Sequence, residues 1–159
     1  MNPGGTVTYD GQTADTVVLG IGLSENGAVL QTEDATLFYA TNPSFDPLGL
    51  AGSVNGTPYT AAITSFTPLP DPLKVGSSGP VLTATYKDTT GTTIGALSET
   101  YTVTADSPTA LFVNIETSGN INGSAFGETI SYSLSDTGST NPALASVQLS
   151  VNGTPLSFH

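Results

Sequence analysis

The sequence predicts an all-β fold built from antiparallel strands. Apolar and hydroxyl side chains alternate with a period of two along much of the chain, and Asn-Gly and Asp-Gly dipeptides punctuate the alternation. No stretch carries helical periodicity with credible caps. Short strands separated by turn signals at this spacing predict a sandwich or barrel. The expected architecture is an antiparallel β-sandwich in two small lobes.

The strands follow in order. Val17, Leu19, Ile21 and Leu23 share one face of the first, and Gly20 and Gly22 on its other face predict a bulge or a close backbone approach. Leu82, Ala84 and Tyr86 alternate with Thr83, Thr85 and Lys87, and Tyr101 and Val103 with Thr100, Thr102 and Thr104. Leu111, Val113 and Ile115 alternate with Phe112, Asn114 and Glu116. Ile130, Tyr132 and Leu134 do so with Ser131 and Ser133, and Val147, Leu149 and Val151 with Gln148 and Ser150. Each pattern describes a half-buried strand with a hydroxyl-rich outer face, where threonine adds the β-branched shape that strands favour. Asp10-Gly11, Asn26-Gly27, Asn55-Gly56, Asn122-Gly123 and Asn152-Gly153 predict type I′ hairpin turns, because both residue types tolerate positive φ.

One segment breaks the pattern. Residues 67–80, TPLPDPLKVGSSGP, contain prolines at 68, 70, 72 and 80. Proline cannot donate to a ladder, so this is expected to be a linker or a long crossing loop. It divides an N-terminal lobe, residues 1–66, from a C-terminal Ig-like sandwich, residues 81–159. A short repeat supports the division: Val54-Asn55-Gly56-Thr57-Pro58 recurs as Val151-Asn152-Gly153-Thr154-Pro155. Ala35–Tyr39 and Thr109–Val113 are also loosely alike, and the unequal spacing gives the second half an additional hairpin.

Composition narrows the chemistry. Thirteen acidic residues face only Lys74 and Lys87, for a formal net charge of −11, and arginine is absent. Nucleic-acid binding relies on lysine and arginine releasing counterions from phosphates, so no nucleic-acid partner is expected. An anionic membrane surface would repel the chain, and no apolar run is long enough for a membrane helix. Charged residues are only 9% of the chain, so the solvated surface must come from Thr, Ser, Asn and Gly. Absence of cysteine removes disulfides, thiolate ligands and thiol nucleophiles together.

Catalytic parts are scarce. The single histidine, His159, is terminal, where a supporting shell is rarely available to a general base. Asp136-Thr137-Gly138 matches the aspartic-protease signature, in which two aspartates share a proton, but the chain has no second copy. Ser133-Leu134-Ser135 precedes it instead of an apolar run, so an Asx turn is the expected role. No catalytic, cofactor-binding or metal-binding residue is assigned, and no cofactor is expected. Surface calcium would draw on Glu33-Asp34, on Asp10 with Asp15, or on Asp46. Asn55, Asn122 and Asn152 fall in glycosylation sequons, which Asn-Gly turns generate by coincidence.

In composition and turn usage along the whole chain, the sequence resembles Ig-like, jelly-roll-like and related β-sandwich domains of phage virions and bacterial surface proteins. The resemblance implies a non-enzymatic structural role. A first residue Met1 with no export signal before it favours the virion setting: a head-decoration or tail-associated subunit, oligomeric in context and held by neighbouring protein subunits. The alternative is an extracellular adhesive module of a bacterial secreted or surface-layer protein.

Overall fold

The structure, a computed structural model, describes residues 2–25, 28–42, 46–54, 56–135, 143–151 and 154–158. Asp136 and His159 lie outside these residues, as do the turn dipeptides Asn26-Gly27 and Asn152-Gly153. Eleven strands account for most of the chain and no helix is present among the described residues. They are β1 (Asn2–Tyr9), β2 (Gln12–Glu25), β3 (Ala28–Ala40), β4 (Pro47–Val54), β5 (Thr57–Phe66) and β6 (Ser78–Lys87), followed by β7 (Thr93–Ser107), β8 (Ala110–Ile121), β9 (Ser124–Ser135), β10 (Ala143–Val151) and β11 (Thr154–Phe158).

The strands hydrogen-bond in sequence order from β1 to β11 as one sheet. The reason lies in the turns. Asp10-Gly11 and Asn122-Gly123 all adopt positive φ, at 47° and 79° and at 51° and 80°. These are the type I′ values whose twist returns a strand beside its predecessor. Tyr9 therefore pairs with Gln12, and Ile121 with Ser124. Glu25–Ala28, Val54–Thr57 and Val151–Thr154 bracket the other Asn-Gly dipeptides in the same way.

The all-β antiparallel expectation holds, whereas the two-layer sandwich is not confirmed. Each strand hydrogen-bonds to the strands before and after it in sequence, with no crossover. The sheet is open, with β1 and β11 as its outermost strands. Of the bulge or close backbone approach expected at Gly20 and Gly22, the bulge is not present. Both pair in register, with Asp34 and Thr32, and the irregularity falls between Leu23 and Ser24.

Backbone contacts group the chain into two compact units, Met1–Thr64 with Ala84–Ile94, and Ser65–Thr83 with Gly95–His159. The proline-rich segment belongs to the second unit, where the Thr67 amide donates to Val81 O at 2.7 Å and Ser78–Pro80 open β6.

A longer repeat underlies the two units. Thr6-Val7-Thr8-x-Asp10-x-x-Thr13-Ala14 recurs as Thr102-Val103-Thr104-x-Asp106-x-x-Thr109-Ala110, and Asn26-Gly27 recurs as Asn122-Gly123, both 96 residues on. Strands β1–β5 thus correspond to β7–β11. In each set the first, second and fourth connections are dipeptides, and the third carries Thr-Asn-Pro, at 41–43 and 140–142. Ala35–Tyr39 and Thr109–Val113 are not equivalent, since the first lies in β3 and the second reaches into β8.

In the first unit Ala14, Ala35, Tyr59, Ala61, Ala84 and Tyr86 are buried. Aromatic rings there lie over glycines on facing strands. Tyr59 pairs with Gly52, with its hydroxyl 3.1 Å from where a Gly52 side chain would begin. Tyr9 reaches Gly49 and stacks on Phe38, with ring centroids 4.1 Å apart. The second unit repeats the device with Phe126 over Gly119 and Tyr101 over Gly79.

Candidate interaction surface

Pairing register across β7–β10 sorts the side chains of the second unit into two unlike faces. One face carries the rows Tyr101–Ile115–Ile130–Val147 and Val103–Val113–Tyr132–Leu144, with Leu97 and Phe126 beyond them. The opposite face carries Thr102, Asn114 and Ser131 in one row, flanked by Thr100, Thr104 and Ser133. Strict alternation in the sequence produces this separation, because successive residues of a strand point to opposite faces.

The apolar face is incompletely covered. Tyr101, Val103 and Val113 are buried, and Leu73, Val81, Leu111, Ile115 and Leu134 pack against them half-buried. Ile130, Tyr132 and Val147 are likewise half-buried, and Leu144 is 62% exposed. A side chain in a closed two-layer core would lose nearly all its exposure.

A carboxylate sits within this face. Glu99 lies between Leu97 and Tyr101 along β7, and its row continues through Thr117 to Glu128. The Thr117 hydroxyl donates to Glu99 Oε1 at 3.3 Å. Burial raises the Glu99 pKa above the ordinary glutamate range, and the Thr117 hydrogen bond opposes this only in part. A period of two along β7 places Glu99 on the same face as Leu97, Tyr101 and Val103.

The polar face is knitted by side chains. The Ser131 hydroxyl donates to Asn114 Oδ1 at 2.7 Å, and Asn114 Nδ2 lies 3.5 Å from both Thr102 and Thr104 Oγ1. Ser133 donates to Asp106 at 3.3 Å. Buried side-chain polar atoms all have partners among the described residues.

Three of the acidic residues singled out from the sequence have described surroundings. Asp15 accepts from the Thr6 hydroxyl at 3.2 Å, Asp46 accepts from Asn42 at 3.0 Å, and Asp34 is exposed opposite Gly20. The Glu33 side chain lies outside what the structure describes. Among the described residues no three His, Cys, Asp or Glu side chains group as metal ligands would. Nor is any helix there long and apolar enough to cross a membrane.

One carboxylate that sequence reasoning passed over, Asp88, shapes the β6–β7 hairpin. Its Oδ1 accepts from the Thr90 amide at 2.8 Å, the Thr90 hydroxyl at 2.7 Å and the Thr92 amide at 2.9 Å. These bonds, led by the Thr90 hydroxyl, lower its pKa. The run Asp88-Thr89-Thr90-Gly91-Thr92 was the available signal for an Asx-type turn.

No family model, curated protein or solved structure matches the chain.

Proposed function

We propose that the chain is a non-enzymatic structural subunit whose apolar sheet face is covered, in an assembly, by the same face of another copy. The observation that carries this reading is Leu144, 62% exposed in the same row as buried Val103 and Val113. Covering a leucine contributes about 1.5–3 kcal/mol, and an isologous contact counts it twice. Two apposed faces would also supply the second layer of an Ig-like or jelly-roll-like sandwich.

The setting we favour is a virion, with the chain as a head-decoration or tail-associated subunit held by protein neighbours. It requires no nucleic acid, cofactor or membrane insertion. The alternative is an extracellular adhesive module of a bacterial secreted or surface-layer protein. Co-fractionation with particles or with the cell envelope in the native source separates the two settings.

The face itself is tested by Leu144→Glu. Replacing one exposed side chain should leave the fold intact and weaken self-association at least tenfold, since 1.4 kcal/mol is a factor of ten. A wild-type chain that stays monomeric at every accessible concentration would remove the reading.

A further inference from the structure

Asp-Pro-Leu occurs at 46–48 and again at 71–73. An aspartyl-prolyl bond is unusually open to attack from within the chain. The aspartate carboxylate can reach its own main-chain carbonyl carbon by closing a succinic anhydride ring. The tertiary nitrogen of proline, once protonated, leaves more readily than an ordinary amide nitrogen.

The two copies stand in different surroundings. Asp46 ends the connection between β3 and β4. Its carbonyl oxygen accepts from the Ala40 amide at 2.8 Å, and its Oδ2 accepts from Asn42 Nδ2 at 3.0 Å. Ala40 therefore polarises the carbonyl that would be attacked, and Asn42 holds the carboxylate that would attack it. The Ala40 amide is fixed at the end of β3, where the neighbouring Tyr39 pairs with Pro47. A donor already in place needs no reorganisation when charge develops on the carbonyl oxygen. Asp46 and Pro47 are half-buried, which leaves the bond within reach of water.

Asp71 lies in the exposed run 67–72. Among the described residues no hydrogen bond reaches its carboxylate or its carbonyl. The same tripeptide is thus held at one position and unsupported at the other.

We propose that Asp46–Pro47 is a self-scission site, at which the folded chain hydrolyses its own backbone. A carboxylate oxygen of Asp46 bonds to the Asp46 carbonyl carbon, and the C–N bond to Pro47 breaks. The Pro47 nitrogen takes a proton from the solvent and leaves as a secondary amine. Water then opens the cyclic anhydride and leaves Asp46 as a free C-terminus. The sum is one peptide bond hydrolysed by one water, with no other reactant. Pairing of β3 with β4 from Glu33–Phe38 to Gly49–Val54 lies beyond the broken bond, so scission releases the connection without removing the ladder. The site stands apart from the apolar face and does not depend on its covering.

The test holds the full folded chain in mildly acidic buffer and identifies fragments by mass spectrometry after denaturation. Residues 1–46 and 47–159 should accumulate on the order of tenfold faster than residues 1–71 and 72–159. In denaturant the two rates should converge, because both bonds lose their surroundings and keep the same sequence. This comparison needs no substitution. Asn42→Ala should bring the first cut toward the rate of the second, in a chain whose circular dichroism is unchanged. Asp46→Asn should remove the first cut and leave the second. Equal rates at the two bonds in the folded chain would overturn the proposal, as would a preference that persists in denaturant. So would a folded Asn42→Ala chain cut as fast as the wild type.

Discussion

Glu99 accepts a hydrogen bond from Thr117 across the β7–β8 pair, on a face otherwise occupied by Leu97, Tyr101 and Val103. A carboxylate in that position is more easily protonated in the folded chain than in the unfolded one. Its contribution to stability is therefore complete below the ordinary glutamate pKa and is lost as pH rises through the raised, folded value.

Glu99→Gln keeps an acceptor for Thr117 and removes the charge. The variant should melt above the wild type at pH 7, and the difference should close as pH falls below the ordinary glutamate range. Calorimetric scans across pH check this. A variant less stable than the wild type at pH 7 would mean the charged form is needed where it stands.

Asp88 behaves in the opposite sense. Its lowered pKa means its stabilising effect is present above the ordinary aspartate value and disappears as pH falls through the folded value. Asp88→Ala should lower the melting temperature at neutral pH, and the two melting curves should converge in strong acid. Parallel curves at all pH values would show that the hairpin does not depend on the charge.

Adjacent glycines in β1 should respond differently. A Cβ on Gly4 would collide with the Thr16 side chain, whose hydroxyl donates to Gly5 O at 2.7 Å, whereas a Cβ on Gly5 would meet nothing within 4 Å. Gly4→Ala should cost about 1–3 kcal/mol through overpacking. Gly5→Ala should be neutral or stabilise by up to about 1 kcal/mol, because alanine restricts the unfolded chain. Chemical denaturation of both variants measures the contrast.

The repeated valines make a further matched pair. Val103→Ala empties a buried site and should cost on the order of 2 kcal/mol. Val7→Ala, at a 40% exposed position, should change stability by less than about 0.5 kcal/mol. Equal losses would place Val7 under cover in the isolated chain.

The strands were legible because Tyr101, Val103, Val113 and their neighbours keep a strict period of two. Turns were legible because Asn122-Gly123 and Asp10-Gly11 require positive φ. The layer arrangement was not, since alternation defines an apolar face without saying what lies over it. Of the interaction surface, the apolar row of β9, Ile130 and Tyr132, could be read directly. Leu144 could not, because the ladder is irregular between it and Ser146 and its place beside Tyr132 depends on register. The longer repeat is hard to read from sequence because its valines are embedded in threonine-rich strands common throughout the chain, leaving Val-Asn-Gly-Thr-Pro as the visible signal.

Sedimentation velocity over a wide concentration range, at physiological and at raised salt, tests the central claim most directly. Wild-type chain should gain mass with concentration, more so once salt screens its net charge of −11, and Leu144→Glu should need at least tenfold more protein to do so. A monomer throughout, or an association that Leu144→Glu leaves unchanged, would contradict a role exerted through the apolar face.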